Sequence, residues 1–500
     1  MRYALTCLAV LFAIAVPIPD HAFAEGEPTR LTLTPAAAPS PALKYVLLPE
    51  LRDQTPGNAA LEYYRAFSPE WWGNIRQPKM WEKITSALQT PLKDLSRKDL
   101  AWLETNPMLR QVERASRREH IDWGMAERLR REGYGLLLPD VQSMRQVGTL
   151  LAVRARLEIA EGRYDKAVST LQTGLALARH VGDGVTLIQD LVGVAIAQMI
   201  LAQLEELIQQ LGAPNLYWAL TELPRPFVDL RKGLQGEKLG MYASIPELRS
   251  LETTRLTEEQ QRKLLQLLGG VEDALFGQGP ETAGQKPNWN HRLVGTLLVL
   301  RAYPEAKQAL IAQGRKPEEV EALPTLQVVL IHSLHQYRRL QDDLFKWYGF
   351  PYWQAQPHLE QVDKQIRMAR NRLEGIPFID LLPAIQKVVA AAVRTDRRIA
   401  ALRCIEAARL YAAAHDGKLP AAMLHRYTQE YEYAAAPEVK RPATRDAISK
   451  VPLPIDPMTG KAFIYRVTGE SAMLIAPPPP REMAHAGNSL YYELTIRRKK

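Results

Sequence analysis

The chain has 500 residues, 46% of them hydrophobic and 24% charged, a balance that allows a sizeable packed interior and argues against a disordered or fibrous polypeptide. Its 64 basic and 55 acidic residues leave a net charge of +9, which describes a mixed surface and not a nucleic-acid footprint. Two cysteines, Cys7 and Cys404, are too few for a disulfide framework or a cysteine metal centre.

Met1-Arg2-Tyr3 is a short cationic leader, Ala4 to Val16 is apolar, and Ala22-Phe23-Ala24 has the small-x-small pattern of a cleavage site. Together they predict a secretory signal peptide over 1–24, which would place the protein in the periplasm or outside the cell. Pro17 and Pro19 end the apolar run too early for a retained anchor helix. Cleavage leaves the net charge unchanged, because Arg2 and Asp20 leave together. Cys404 is then alone, so no internal disulfide is possible and it reads as a small apolar core residue. Glu25 to Leu43 is rich in Pro, Ala and Thr and predicts a flexible linker over 25–44.

An N-terminal helical domain is expected over 45–268. Helices begin near Gly57-Asn58, with Asn58 as a cap and Ala60, Leu61, Tyr64 and Phe67 as the buried side. Trp71, Trp72, Trp81, Trp102 and Trp123 could stack sugars or bases; in a chain this helical the preferred reading is that they fill gaps between helices. Arg110, Arg114, Arg117, Arg118, Arg128, Arg130 and Arg131 gather, but Glu113, Glu119, Asp122, Glu127 and Glu132 interleave with them, as on a solvated helix face.

Three consecutive helices follow between Val141 and Leu211. Met144, Val147, Leu150, Leu157 and Ala160 make the first stripe, and Tyr164, Val168, Leu171, Leu175 and Ala178 the second. The tight connection Glu161-Gly162-Arg163 forces these two helices to pack antiparallel. The third starts at Thr186, with Gln189 at capping-box spacing. From Leu191 to Leu204 it has no charged residue, and fourteen residues fall short of the roughly twenty needed to cross a bilayer, so it reads as a core helix.

A mobile loop is expected over 269–290, where Gly277, Gly279, Pro280, Gly284 and Pro287 gather. Helical spacing resumes in a second helical region over 291–382, in segments Leu293 to Leu300, Glu305 to Gln313, Leu326 to Trp347 and Leu359 to Leu373. The last part, 383–500, begins with a long helix from Pro383 to His415, which Gly417 and Pro420 end. A polar stretch reaches Lys450. Phe463 to Val467 and Ala472 to Ile475 then alternate as a hairpin, and Leu490 to Ile496 is a third strand. The fold class expected is mainly α: a multi-helix antiparallel array with a small C-terminal α+β module, one long helix and a short antiparallel sheet.

Gly162, Tyr164, Ala167, Leu171 and Leu175 sit where a tetratricopeptide repeat places its turn glycine, aromatic, small residue and two packing hydrophobes, so the hairpin over 141–180 resembles one such repeat. Arg154 and Glu158 depart from it, and an ordinary helical hairpin with a turn glycine fits the same residues. Gly57-Asn58-Ala59-Ala60 with Tyr63-Tyr64, Pro214-Asn215-Leu216-Tyr217-Trp218-Ala219-Leu220, Ala408-Arg409-Leu410-Tyr411 and Asp456-Pro457-Met458-Thr459-Gly460-Lys461 together resemble a family of large, exported, mostly helical bacterial proteins of unknown function. That resemblance implies an architecture and no activity. The C-terminal part, with Lys418-Leu419-Pro420 and the Asp456 to Lys461 turn, is similar to the globular domain of type II secretion pseudopilins. The prepilin leader is lacking, so this likeness implies a fold and not a role.

No Gly-x-Ser-x-Gly elbow, phosphate-cradling glycine loop or His-Glu-x-x-His is present. His332 and His335, three apart on one helix face, are the candidate metal ligands, with Asp342 or Asp343 as a third. They also read as histidines packed in an apolar run. Asp342-Asp343 and Glu258-Glu259 are adjacent pairs pointing about 100° apart on a helix, and neither converges on one substrate. No catalytic or cofactor-binding residue is identified and no cofactor is expected. The function expected is an exported cell-envelope scaffold or binding protein with a protein or envelope-polymer partner and no nucleic acid. The alternatives are an exported hydrolase whose site assembles only in the fold, and an accessory of a secretion apparatus.

Overall fold

The computed structural model of the chain describes residues 27–265, 289–371, 378–423, 447–448 and 451–497, apart from positions 134, 135, 137, 481 and 486. The expected leader, nearly all of the expected loop over 269–290, much of the polar stretch before Lys450 and residues 498–500 lie outside the described residues.

In chain order the elements used below are β1 (Thr29–Leu33), α1 (Ala59–Ala66), α2 (Pro139–Ala160), α3 (Tyr164–Val181), α4 (Leu187–Leu207), α5 (Tyr217–Thr221), α6 (Arg231–Ser244), α7 (Trp289–Ala312), α8 (Thr325–Phe345), α9 (Tyr352–Asn371), α10 (Leu382–Ala414), β2 (Ile464–Thr468), β3 (Ser471–Ala476) and β4 (Leu490–Ile496). The protein is mainly helical, with a small mixed sheet near its C-terminal end.

The centre forms as its spacing dictates. Gly162 takes φ +72°, the left-handed region that glycine occupies without strain, and turns α2 back against α3. Arg154 and Glu158 are paired with each other at 3.1 Å, and Thr170 donates to the buried Glu158 at 2.7 Å. Thr186 accepts from the Gln189 backbone at 3.2 Å, so the capping box starts α4. A Cβ on Gly193 would lie 2.6 Å from the Ala178 carbonyl, so α4 meets the end of α3 backbone to backbone. At 21 residues α4 runs past the charge-free stretch and is long and apolar enough to cross a membrane. Most of it is instead buried, against α2, α3 and α10.

Two cores result. The first joins Leu31 and Leu33 of β1, Tyr63 of α1, the inner faces of α2 to α4, Ile399 and Leu402 of α10, and Leu474, Tyr492 and Leu494 of the sheet. The second joins Leu234 and Met241 of α6, Leu310 of α7, Ile331, Leu334 and Tyr337 of α8, Leu359 of α9, and Leu382, Ile385 and Val388 of α10. Helix α10, 33 residues long, passes through both. Each fully buried aliphatic or aromatic side chain contributes about 1.5–3 kcal/mol, so this helix ties the two halves together.

Buried ion pairs fix α10 to its neighbours. Arg398 donates to Glu205 of α4 at 2.8 Å, and Glu205 also accepts from the Tyr492 hydroxyl at 2.5 Å. Arg397 donates to Asp456 at 2.7 Å and to the Asn488 carbonyl at 2.6 Å. Arg409, fully buried, donates to Glu406 (2.9 Å) and to the carbonyls of Thr34 (2.8 Å), Pro214 (3.1 Å) and Ala213 (2.9 Å). Asn215 donates to Glu406 at 2.6 Å and accepts from the Tyr217 backbone where α5 begins.

Several expectations need correction. Thr29–Leu33, inside the stretch expected to be a flexible linker, is a strand paired in parallel with β4, and the sheet runs β1-β4-β3-β2. Leu31 and Leu33 alternate inward and supply the apolar face that the Pro- and Ala-rich composition concealed. Leu61 is exposed; Tyr63 is buried in its place, stacked on Trp123 with its hydroxyl 2.9 Å from Nδ1 of His180. The two segments expected around Pro304 are one helix, α7, with the proline inside.

Candidate ligand-binding cavity

Along α10, Val389, Ala392, Val393, Asp396, Ile399, Ala400 and Arg403 recur at helical spacing and make one face. That face is one wall of a cavity of about 530 Å³. Opposite stand Trp347, Tyr348 and Phe350, which follow α8, and Tyr352, Trp353, Ala355 and Leu359 of α9. Pro224 to Pro226, Val228 to Arg231 and Leu234 close a third side, and Pro454, Ile455 and Pro457 a fourth. The size falls in the range of small-molecule sites, and the lining is largely aliphatic and aromatic.

The aromatic wall is held from behind. The ring of Trp347 stacks on His358 with centroids 3.8 Å apart and planes 4° from parallel. Trp353 presses on Gly460, where a Cβ would lie 2.4 Å from the indole; with φ +69°, that position requires glycine. Gly460 belongs to the Asp-Pro-Met-Thr-Gly turn, in which Asp456 accepts from the Met458 backbone (2.9 Å) and the Thr459 hydroxyl (2.8 Å). The turn thus shapes the cavity rim, with Arg397 anchoring Asp456 underneath.

Four groups bring charge to this apolar space besides Arg403. Asp229 chelates Arg231, donated to by Nε at 2.9 Å, and that hydrogen-bonded pairing holds its carboxyl below the usual range. Asp396 accepts from the Phe227 backbone at 2.8 Å; burial pushes its pKa up to about 6 against the opposing influence of that hydrogen bond and of Arg225. Arg403 is 5% exposed, donates from Nε to the Thr221 hydroxyl at 3.1 Å, and lies 5.6 Å from the ring centre of Tyr217.

The sequence-derived candidates lie elsewhere. His332 is buried in the second core with neither ring nitrogen hydrogen-bonded, and burial lowers its pKa. His335 contacts Gln313 at 3.0 Å and Glu252 at 3.2 Å. Asp342 is paired with Lys238 and Asp343 with Lys346. Among the described residues no group of three or more His, Cys, Asp or Glu is placed to hold a metal ion. Cys404 is buried, and burial lifts its thiol to about 12, so it is not a nucleophile. Asp396, Arg403 and Arg225 were not singled out from the sequence. The available signal was two charged residues, seven apart, on an otherwise Val, Ala and Ile stripe of one helix.

Fold and site together define a mainly helical array with a C-terminal α+β module and an apolar, aromatic-walled cavity between them. No known protein family, curated protein or solved structure matches the chain.

Proposed function

We propose that this is an exported, non-catalytic binding protein of the bacterial cell envelope whose occupant lodges in the cavity beside α10. The carrying observation is the cavity itself: an apolar hollow of about 530 Å³ whose charged groups are three arginines and two aspartates, with no histidine or cysteine among its lining residues. The signal-peptide pattern over 1–24 supports export. The test is thermal stabilisation of the purified protein by a panel of apolar and amphiphilic molecules, repeated on Ala392→Trp and Val393→Trp, which fill the hollow. Stabilisation present in the parent and lost in both folded variants is expected. Stabilisation that persists in both refutes the reading.

A second reading, an exported hydrolase, has one observation in its favour: Asp396 and Asp229 line the same cavity and their carboxyls are shifted in opposite directions. Turnover of an envelope glycan or peptide that disappears in Asp396→Asn and Asp229→Asn would establish it and displace the binder.

A further inference from the structure

The described residues contain four buried arginines: Arg156, Arg397, Arg403 and Arg409. Arg156 faces Glu206 at 3.3 Å, Arg397 faces Asp456 at 2.7 Å and Arg409 faces Glu406 at 2.9 Å. Arg403 alone among them has no carboxylate within ion-pair distance, and the space it faces is the cavity. Arg225, on the adjoining wall, is exposed and feels the charges of both Arg403 and Asp396. A buried charge without a directly bonded counter-ion is costly; Asp396 acts on Arg225 from the same lining, and a ligand anion would supply Arg403 with a carboxylate of its own.

The opposite end of the hollow has the reverse character. From Arg403 to Val389 the lining face of α10 spans about 21 Å at 1.5 Å per residue. Leu234 and Leu359, which line the cavity, belong to the same hydrophobic cluster as Ile385 and Val388, at the Val389 end of α10. A peptide laid there would bury one donor and one acceptor per residue, more than the Tyr348 and Tyr352 hydroxyls and the Trp347 indole N–H could meet. A hydrocarbon chain needs none, and each buried methylene contributes about 0.8 kcal/mol.

We propose that the occupant is a single-chain amphiphile with an anionic head, seated on Arg403 and Arg225, its hydrocarbon tail laid along α10 towards Val389. This rests on the reading of the protein as a binder. Asp396 lies between head and tail, seven residues from each end of the lined face. Its carboxyl accepts from the Phe227 N–H, and with burial raising its pKa to about 6 its repulsion of an anion falls away only as pH drops through that value.

Four probes decide it by isothermal titration below their micelle concentrations: hexadecanoate, hexadecan-1-ol, hexadecyltrimethylammonium and acetate. Hexadecanoate is expected to bind one per chain, with the alcohol and the ammonium weaker and acetate without measurable binding. Arg403→Met removes a charge-assisted contact and weakens hexadecanoate about tenfold or more, leaving the alcohol unchanged. Arg403→Lys, which keeps the charge, recovers part of the loss, and Arg130→Met on an exposed helix has no effect. Equal binding of acid and alcohol with no response to Arg403→Met overturns the head-group assignment and leaves the binder standing. Tighter binding of the ammonium overturns it by sign. If no alkyl probe binds while another molecule gives cavity-dependent stabilisation, the amphiphile is wrong and the binder again survives.

Discussion

Replacing Arg409 with methionine keeps much of the side-chain volume and removes six hydrogen bonds: two to the Glu406 carboxylate, one each to the carbonyls of Thr34, Pro214 and Ala213, and a long one to the Thr34 hydroxyl. Glu406 would remain fully buried with only Asn215 and the Leu216 backbone N–H to answer it. Removing one partner of a buried pair costs about 3–5 kcal/mol, because the other charge stays behind without compensation. The variant should therefore melt about 6 °C or more below the parent by calorimetry, allowing for a large cooperative unit. Hydrogen exchange should rise over residues 29–36, since Arg409 holds the Thr34 carbonyl and its own carbonyl accepts from Ala36 at 3.2 Å. Adding Glu406→Leu should recover most of the loss, as an apolar replacement of both partners often does. Arg130→Met, whose Glu127 pairing is largely solvent-exposed, should change stability by less than about 0.5 kcal/mol. A single Arg409→Met variant within about 1 kcal/mol of the parent, or a double variant worse than the single, would refute the reasoning.

His180 is kept neutral: burial, with a smaller contribution from Arg179, lowers its pKa to about 4. A depressed folded pKa makes its contribution complete above about 6.5 and lost as pH falls through about 4, so the unfolding free energy from urea titrations should drop over that window, by about 2 kcal/mol after allowance for partial exposure of the ring. His180→Asn should flatten that dependence. Asp190 is fully buried with both carboxyl oxygens lacking a hydrogen bond, and burial, reinforced by Glu237, Asp229 and Asp183, raises its pKa. The folded state holds the proton that the unfolded chain releases above its ordinary 3.8, so stability from this group falls as pH rises; Asp190→Asn should stabilise more at pH 8 than at pH 4, and a gain equal at both would exclude this account. A Cβ on Gly236 would lie 1.7 Å from the Val185 carbonyl, so Gly236→Ala should push α6 off the start of α4 and cost about 3 kcal/mol or more. Gly73, in the helix Pro69–Ile75 with nothing within 4 Å of its added Cβ, should gain up to about 1 kcal/mol from the same change. Chemical denaturation of the two alanine variants would show opposite signs.

What could be read from the sequence was local. The hairpin of α2 and α3, the caps Asn58 and Thr186, and the glycine stop at Gly417 each depend on residues within a turn or two of one another. The three C-terminal strands were legible for the same reason, through alternation. What escaped was non-local. β1 is five residues whose partner lies at the far end of the chain, and nothing near Thr29 announces it. Leu61 and Tyr63 exchanged sides because the stack on Trp123, not the local pattern, decides which face of α1 is buried. The cavity draws its walls from four separated stretches, and only the α10 face carried a hint, in Asp396 and Arg403. The histidine pair had the right spacing on a helix, but the chain around it supplies no third ligand among the described residues.

The parallel join between β1 and β4 sets an order of events. Arg30 and Glu493, which meet across that seam, are separated by 463 positions, and parallel strands cannot zip from a neighbouring turn. Leu31 and Leu33 therefore wait, uncovered, until almost everything else has been synthesised. The delay leaves a greasy, unpaired ribbon exposed to strangers in the interval, so a version cut short before Leu490 should clump before it could misfold quietly.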